Sequence, residues 1–304
     1  MNWTDCANGI ELAIPKDFSF TACLTFFHRT DQEILYQVKD DLLYKLLKIE
    51  EQLILCKISA QVAILKVEFP LHQPTACEKQ YIAQYIAEWF DLARDLHGFY
   101  TMAQQDQILQ PLVETYKGLR VIGIPCLFEA LTWAIIGQQI NLPFAYTLKR
   151  RFIESFGEQL IVEGDSYWLF PTPAKITEIQ VEDLRRLQFS QRKAEYIIAI
   201  AKIIANGELT KDVLRQQGDY IAIKQHLMTI RGIGAWTADY VLMRCLQEPT
   251  AFPIADVGLH NALKAQLALA QKPTIEEINT YAQHWEGWQA YATFYLWRSL
   301  YETI

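Results

Sequence analysis

One segment of eleven residues combines the features of a binding turn. The segment IRGIGAWTADY, residues 230–240, places Gly232 and Gly234 on either side of Ile233, with helix-forming sequence before and after. Glycine permits a positive φ angle and removes side chains from the surface of the turn. The amides of the turn and of the following first helical turn then point outward together, with the positive end of the helix dipole behind them. Such a turn binds anions, and the phosphates of a nucleic-acid backbone suit it because they are contacted without regard to base sequence.

The surrounding residues decide between a binding turn and a plain corner between two packed helices. A glycine pair alone favours the corner. The full pattern, L-x-x-I-x-G-I-G-x-x-T-A over residues 227–238, closely resembles the helix–hairpin–helix motif of DNA-binding proteins. The resemblance implies that phosphates are bound by the hairpin residues Gly232, Ile233, Gly234, Ala235 and Thr237.

A second candidate residue, Asp256, lies in the segment TAFPIADVGLH, after an apolar loop and before an amphipathic helix. Aspartate is common as a helix N-cap, and capping alone explains the residue. The alternative is a carboxylate at the mouth of a cleft. The two roles are compatible because a capping side chain is fixed in position, so local sequence leaves both open.

The hairpin and the aspartate at this spacing resemble the HhH-GPD superfamily of DNA glycosylases. Within it the chain is similar to the bacterial alkylpurine enzymes of the 3-methyladenine DNA glycosylase II type. The similarity runs nearly end to end and is carried by FEALTWAIIGQQI, FPTP, IRGIGAWTADYVLMR and YAQHWEGWQAYATFYLW. The segment GLRVIGIPCLFEAL matches the family's entry into its helical domain.

The resemblance places the catalytic carboxylate at Asp256 and not at Asp239, which lies inside the second helix of the hairpin. Cleavage of an N-glycosidic bond builds positive charge on the sugar as the base leaves. An ionised carboxylate beside the sugar is therefore favoured by electrostatics. The same carboxylate can orient or deprotonate the attacking water.

The residue type at position 236 predicts the reaction subtype. Bifunctional relatives such as endonuclease III and 8-oxoguanine glycosylase carry a lysine at this position, whose amine attacks the sugar and permits strand cleavage. This chain has Trp236, which cannot form a Schiff base. The resemblance therefore implies a monofunctional glycosylase that leaves an abasic site. The four-cysteine iron–sulfur cluster of some relatives is missing, since no cysteine follows Cys245.

The base pocket is expected to be aromatic, because a flipped base needs a stacking surface and a cationic base is attracted to electron-rich rings. By resemblance, Trp236 and Tyr240 line this pocket from the hairpin and Trp297 faces them from the C-terminal helix. No histidine or glutamate stands at a matching position as a general acid. We therefore expect substrates whose leaving base is already cationic, such as 3-methyladenine and 7-methylguanine, and slower release of a neutral base such as hypoxanthine.

A wedge residue must fill the space that the flipped nucleotide leaves. The family places the wedge at the turn in IIGQQINLP, where this chain has Gln139 and the family's best-known member has leucine. For the neighbouring Gln138 we expect a buried amide that holds the loop. An aromatic residue at the pocket edge in the family corresponds here to Leu24, to which we assign no role.

Composition is that of an ordinary globular protein, with 51% hydrophobic and 21% charged residues among 304. The net charge of −7 is unusual for a DNA-binding protein, but residues 117–304 hold 19 basic and 19 acidic side chains, so the acidity lies in the N-terminal third. No signal peptide or membrane span is expected. The six cysteines include no C-x-x-C pair, which argues against zinc and fits a reducing cytoplasm.

The pattern along the chain predicts an α+β fold. Residues 1–105 are expected to form an N-terminal domain with antiparallel strands at FSFTACLTFF, Leu53–Cys56 and QVAILKVEF, and a helix at YIAQYIAEWFDLARDL. Residues 106–304 are expected to form an all-helical catalytic domain in two lobes with the cleft between them. Capping serines, prolines and terminal glycines delimit its helices.

Two other classes of function compete with the enzyme. A non-catalytic DNA-binding module would keep the hairpin but has no need for Asp256 or Trp297. A protein-interaction domain would use the acidic N-terminal third, and a salt-dependent DNA affinity would argue against it. We therefore expect a monomeric glycosylase acting on alkylated bases in double-stranded DNA, without a cofactor or side-chain metal site. The resemblance adds a monovalent cation at the hairpin carbonyls.

Overall fold

The computed structural model describes residues 2–302, which form an antiparallel sheet followed by a mostly helical body. The described part of the sheet has six strands in the order β1-β2-β6-β5-β4-β3. All neighbouring strands are antiparallel. The strands are β1 Trp3–Cys6, β2 Gly9–Ala13, β3 Tyr36–Lys39, β4 Leu42–Ile49, β5 Gln52–Gln61 and β6 Ile64–Glu68. The predicted α+β class, with an antiparallel N-terminal sheet before the helices, is confirmed.

The strand predicted at FSFTACLTFF is wrong, because residues Phe20–Phe27 form helix α1. Ser19 caps this helix by accepting a hydrogen bond from the amide of Ala22. The apolar residues of the segment recur at helical spacing and pack into the core, with Phe20, Cys23, Leu24 and Phe27 all buried. Aromatic composition suggested a strand, whereas the cap and the spacing determine the helix.

The helices after the sheet occupy most of the remaining chain and are connected by short segments. They are α2 Ala76–Trp89, α3 His97–Ala103, α4 Gln110–Thr115, α5 Leu127–Gly137, α6 Leu142–Phe156, α7 Pro173–Thr177, α8 Val181–Arg186, α9 Gln191–Ala205, α10 Lys211–Arg215, α11 Tyr220–Met228, α12 Ala235–Arg244, α13 Val257–Gln266, α14 Ile275–Ala282 and α15 Gln289–Arg298. Short 3₁₀ turns follow α14 and α15 at Gln283–Trp285 and Ser299–Glu302. Within residues 2–302, no helix has the length and apolar character needed to cross a membrane.

One exception corrects the all-helical prediction for the larger part. Strands β7 Glu158–Val162 and β8 Asp165–Leu169 form a hairpin between α6 and α7. Its two turn residues, Glu163 and Gly164, both have positive φ angles, which is the geometry of a tight two-residue hairpin turn. The side chain of Tyr167 packs with two sheet residues, Leu46 and Leu55, in a small separate cluster. The hairpin therefore fastens the helical body to the sheet.

Buried charges also join the sheet region to the helical body. The carboxylate of Glu33, before β3, lies 2.7 Å from the ammonium of Lys149 on α6, and both side chains are buried. Burial raises the pKa of the Glu33 carboxyl, but the Lys149 ammonium outweighs it and holds that pKa below its usual value. Arg120, completely buried, donates to Asp17 and to the carbonyl of Arg94.

The domain boundary that we predict at residue 105 stays a prediction.

The turn between α11 and α12 depends on Gly232. Its φ angle is +95°, and a Cβ atom at this position would overlap the ring of Tyr196 on α9. Gly234 differs, since its φ angle is −94° and a Cβ atom there would meet nothing. Only the first glycine of the pair is therefore required by the fold of the turn.

The two glycines give a matched test of this conclusion. We expect Gly232→Ala to lower the free energy of unfolding by roughly 2–4 kcal/mol. The alanine would have to adopt a left-handed backbone conformation, and its Cβ atom would overlap the ring of Tyr196. Gly234→Ala should change it by less than about 1 kcal/mol, because alanine fits there without strain. Urea denaturation of both variants checks the difference, and equal destabilisation would contradict it.

Candidate active site

Asp256 is both a helix cap and the centre of a hydrogen-bonded site. Its Oδ1 accepts from the amide of Leu259 at 2.9 Å, which caps helix α13. The same oxygen accepts from the indole Nε1 of Trp297 at 2.8 Å. Oδ2 accepts from the Nε1 of Trp236 at 3.0 Å. Both oxygens are therefore fixed in orientation by donors from three helices, and the side chain remains partly exposed.

The three predicted pocket residues lie together beside this carboxylate. The ring of Tyr240 lies between the other two, with centroid distances of 5.7 Å to Trp236 and 6.0 Å to Trp297. Trp236 and Tyr240 are four residues apart and so share one face of α12. Trp297 comes from α15 and is 8% exposed. The structure thus gathers residues from distant parts of the chain around one carboxylate.

Gly258 allows the two partners on α13 and α15 to approach closely. A Cβ atom at this position would lie 2.9 Å from Oδ1 of Asp256 and 3.2 Å from the indole of Trp297. Any larger residue would therefore push Trp297 away from the carboxylate. Sequence reasoning missed this role, although a glycine in the first turn of a helix is a signal, since it is a poor helix former.

Two further side chains form hydrogen bonds to the hydroxyl of Tyr240. Its Oη accepts from Trp133 Nε1 at 2.9 Å and from Arg244 Nη1 at 3.0 Å. Arg244 is 5% exposed, and its Nε donates to the carbonyl of Ile122 at 2.6 Å. It makes no ion pair with the described side chains, those of residues 2–301. Sequence reasoning missed both residues, and the only signal for Arg244 was its place on an apolar helix.

The N-terminal region reaches this site through Phe26 of α1. The Arg244 guanidinium lies 5.4 Å from the centroid of its ring, and the ring of Phe294 on α15 lies 4.8 Å from it. A small, partly open cavity of about 30 Å³ lies between the sheet region and the helices, with Phe26, Trp133 and Arg244 among its lining residues. Leu24, to which we assigned no role, is buried in the core.

The hairpin residues divide into outward-facing and inward-facing groups. Gly234 and Ala235 are exposed, and helix α12 begins at Ala235 without a side-chain cap, so its first amides are accessible. Ile233 and Thr237 are buried. The Thr237 hydroxyl and the carbonyl of Gly232 both accept from Nε2 of Gln138 at 2.9 Å. The side chain of Thr237 is therefore turned toward Gln138 inside the protein.

Gln138 and Gln139 have different surroundings at the end of α5. Gln138 is partly buried and bonded to the hairpin, so the structure agrees with a loop-holding amide. Gln139 is exposed and has a φ angle of +55°. A left-handed residue at a helix end turns its side chain away from the helix axis and leaves it accessible. This position suits a residue that inserts into a partner molecule.

Asp239 is a brace within the hairpin. It is 2% exposed and accepts from the Tyr220 hydroxyl at 2.6 Å and the Lys224 ammonium at 2.8 Å, so it ties α12 to α11. Burial raises the pKa of its carboxyl against the opposing effect of Lys224 and Tyr220. Two lysines of the helical body, Lys149 and Lys193, are buried, and Lys193 donates to the carbonyl of Ile136.

Two family models together match most of the chain. A model for the HhH-GPD superfamily base excision DNA repair protein matches residues 132–288. A model for the 8-oxoguanine DNA glycosylase N-terminal domain matches residues 9–131. The first match contains the hairpin and Asp256, and the second contains strands β2 to β6 of the sheet and Phe26.

Similar proteins and structures agree with these matches. The chain is 42% identical to a DNA-3-methyladenine glycosylase of Bacillus subtilis, over 99% of this chain and 100% of that protein. A 3-methyladenine DNA-glycosylase from Archaeoglobus fulgidus has the same fold, with a TM-score of 0.81 at 22% identity over 97% of this chain and 98% of that one. The 8-oxoguanine glycosylase/lyase of Clostridium acetobutylicum, solved with double-stranded DNA, reaches a TM-score of 0.77 at 19% identity over 100% and 98%. The chain therefore belongs to the HhH-GPD superfamily of base excision DNA repair proteins and is a DNA glycosylase, an enzyme that hydrolyses N-glycosyl bonds.

Proposed function

We propose that the protein is a monofunctional DNA N-glycosylase that removes 3-methyladenine and 7-methylguanine from double-stranded DNA and leaves an abasic site. The observation that carries the proposal is the arrangement at Asp256, whose carboxylate is oriented by two indoles that form one aromatic layer with the ring of Tyr240. The name of the Bacillus subtilis relative supports the substrate class.

The reaction requires stabilisation of positive charge on the sugar. As the bond between C1′ and the base nitrogen breaks, its electron pair leaves with the base and the sugar becomes cationic. The fixed carboxylate of Asp256 stabilises that charge without having to reorganise. It also orients the attacking water, whose oxygen bonds to C1′ while its proton passes to the carboxylate or to solvent.

The aromatic rings account for the proposed preference for methylated purines. Methylation at N3 or N7 of a purine nucleotide gives the base a positive charge, which is attracted to the faces of Trp236, Tyr240 and Trp297. Such a base departs as a neutral molecule and needs no added proton. Aromatic stacking also offsets the free energy that is lost when the base leaves the duplex.

The residue type at position 236 supports the proposal that no Schiff-base lyase reaction occurs at the hairpin. Trp236 occupies the first turn of α12, and its only polar group already donates to Asp256. It has no amine that could attack the sugar. We therefore propose that strand cleavage does not accompany base release.

The first prediction of the proposed function concerns the carboxylate of Asp256. Asp256→Asn should lower single-turnover release of 7-methylguanine by at least about a hundredfold, because it removes the charge that stabilises the sugar cation. Duplex DNA affinity should fall by less than about fivefold, since the hairpin is untouched. Release is measured as free base, and affinity by fluorescence anisotropy.

Asp219→Asn is the matched control for this variant. Asp219 caps α11 in the same manner, with its Oδ1 accepting from the amide of Ala222 at 2.9 Å. Asparagine is an equally good N-cap, so this variant should release the base at the wild-type rate within about twofold. Undiminished release by Asp256→Asn would refute the mechanism.

The second prediction separates hydrolysis from lyase chemistry. Incubation with methylated duplex DNA and sodium borohydride should give no covalent protein–DNA complex, because Trp236 cannot form the imine that borohydride reduces. A bifunctional 8-oxoguanine glycosylase/lyase on its own substrate serves as the positive control. A trapped complex, or strand cleavage that keeps pace with base release, would contradict monofunctionality.

The surface around the hairpin supports binding to the duplex. The amides at the start of α12 suit a phosphate, and Gln139 on the adjacent turn suits insertion where the base has left. Gln138 links the two turns through its bonds to Gly232 and Thr237. We propose that phosphate binding and wedge insertion occur together on this surface.

The third prediction tests the wedge. Gln139→Ala should slow release of 7-methylguanine from duplex DNA by about tenfold and release from single strands by much less, because only the duplex requires the vacated space to be filled. Gln139→Leu should retain most of the duplex rate. Gln188→Ala controls for alanine at an exposed, left-handed glutamine. An equal loss on both substrates would argue against a wedge.

A monovalent cation at the hairpin carbonyls is a further part of the proposal. The carbonyls of Ile230 and Gly232 each accept one hydrogen bond, from Ile233 and Gln138. A carbonyl oxygen has two lone pairs, so each retains one for a cation. Such a cation would add positive charge at the phosphate site.

A further inference from the structure

We propose that Tyr240 donates a hydrogen bond from its hydroxyl to the leaving base, and that Arg244 polarises this donor. The proposal rests on the proposed glycosylase function and adds to it. It assigns to Tyr240 a chemical role besides that of an aromatic wall, and to Arg244 the role of a positioning residue.

The hydroxyl oxygen of Tyr240 can act only as the acceptor in its two observed hydrogen bonds. An indole N–H and a guanidinium N–H can only donate, so Oη accepts from both Trp133 and Arg244. A phenol oxygen accepts at most two hydrogen bonds and carries one hydrogen of its own. Among the side chains of residues 2–301 and the backbone of residues 2–302, no acceptor for that hydrogen is seen at hydrogen-bond distance. The hydroxyl is therefore a donor without a protein partner.

The position of the ring puts this donor next to the reaction. Tyr240 lies between Trp236 and Trp297, and these are the two residues that hold the carboxylate of Asp256. A base whose sugar reacts beside Asp256 must lie against this aromatic layer. Its acceptor atoms are then the nearest partners for the free hydrogen of the phenol.

The charge of Arg244 determines which base gains from this donor. Its guanidinium is buried, lacks an ion pair with the side chains of residues 2–301 and lies 5.5 Å from the Tyr240 ring centroid. A hydrogen bond accepted from a cation strengthens the donor on the same oxygen. A neutral base gains negative charge as its glycosidic bond breaks, so both Tyr240 and Arg244 stabilise its departure. A cationic base receives the same electron pair but leaves as a neutral molecule, so it is a weaker hydrogen-bond acceptor for this donor than a departing anion.

The charges around the nearby cavity do not neutralise Arg244. Arg29, Lys45, Lys149, Glu33 and Glu129 also line the cavity. Both carboxylates of this group lie against Lys149, at 2.7 Å and 3.4 Å. The Arg29 guanidinium stacks on Phe26, 3.7 Å from the ring centroid. The side of the site away from Asp256 is therefore electropositive, which suits a leaving group that becomes more negative.

The test compares a neutral with a cationic leaving base in one duplex context. Single-turnover release of hypoxanthine and of 7-methylguanine is measured for the wild-type protein and for Tyr240→Phe. Both rate constants are expected to fall in the variant, because the ring loses two hydrogen bonds. The ratio of hypoxanthine to 7-methylguanine release should fall by at least about tenfold, which is the size of one hydrogen bond lost at a developing charge.

Tyr291→Phe is the matched control. Tyr291 is also a buried tyrosine, and its hydroxyl bonds to Asp91 on the far side of α15. Its loss should leave the ratio within about twofold of the wild type. Arg244→Met should lower the ratio in the same direction as Tyr240→Phe, and Arg244→Lys should restore part of it. Melting curves identify any variant that is unfolded at the assay temperature.

The outcomes separate the two proposals. A Tyr240→Phe protein with the wild-type ratio overturns the donor role, even when both of its rates fall. A wild-type protein that releases 7-methylguanine but no hypoxanthine also overturns it and leaves the proposed function intact. A wild-type protein that releases neither base overturns the proposed function and the donor role together.

Discussion

The three hydrogen bonds to the carboxylate of Asp256 are the constraint on which the rest of the site depends. Their donors come from α12, α13 and α15, so the carboxylate is oriented only when all three helices are in place. The bond from the Leu259 amide joins residues that are close in sequence, whereas the bonds from Trp236 and Trp297 join residues that are far apart in sequence. The orientation of the Asp256 carboxylate therefore depends on the tertiary fold, because a displacement of any of these helices changes the direction of a carboxylate oxygen.

The same constraint explains residues that have no chemical role of their own. Gly258 removes the atom that would separate Asp256 from Trp297. Asp239 ties α12 to α11, and thereby fixes Trp236 relative to the hairpin turn. Gln138 joins that turn to the turn at Gln139, at the end of α5. The proposed DNA binding, base insertion and bond cleavage would thus share one set of contacts around α12.

The sequence allowed prediction of the residues whose spacing is local, and failed where partners are distant. The hairpin glycines, the capping aspartate and the helical period around them are short-range patterns, and the structure has them where they were expected. Trp297 was reached only through family resemblance. Trp133, Arg244 and Phe26 were missed because their roles depend on contacts across about a hundred residues of chain or more. The strand prediction at Phe20–Phe27 failed because aromatic content outweighed helical spacing.

Side chains of opposite charge lie at the two ends of the site. Asp256 supplies negative charge where the sugar becomes cationic, and Arg244 supplies positive charge on the other side of the aromatic layer. Bond cleavage in a neutral nucleotide moves an electron pair from the sugar toward the base, along the direction that these charges favour. In the proposed reaction of a methylated purine the same electron pair moves toward a base that leaves neutral, so the hydrogen bond from Tyr240 gains less than it does with a departing anion. Under the proposed function, the cationic base is thus favoured by attraction to the rings, and the neutral base by the charge-assisted hydrogen bond at the Arg244 end.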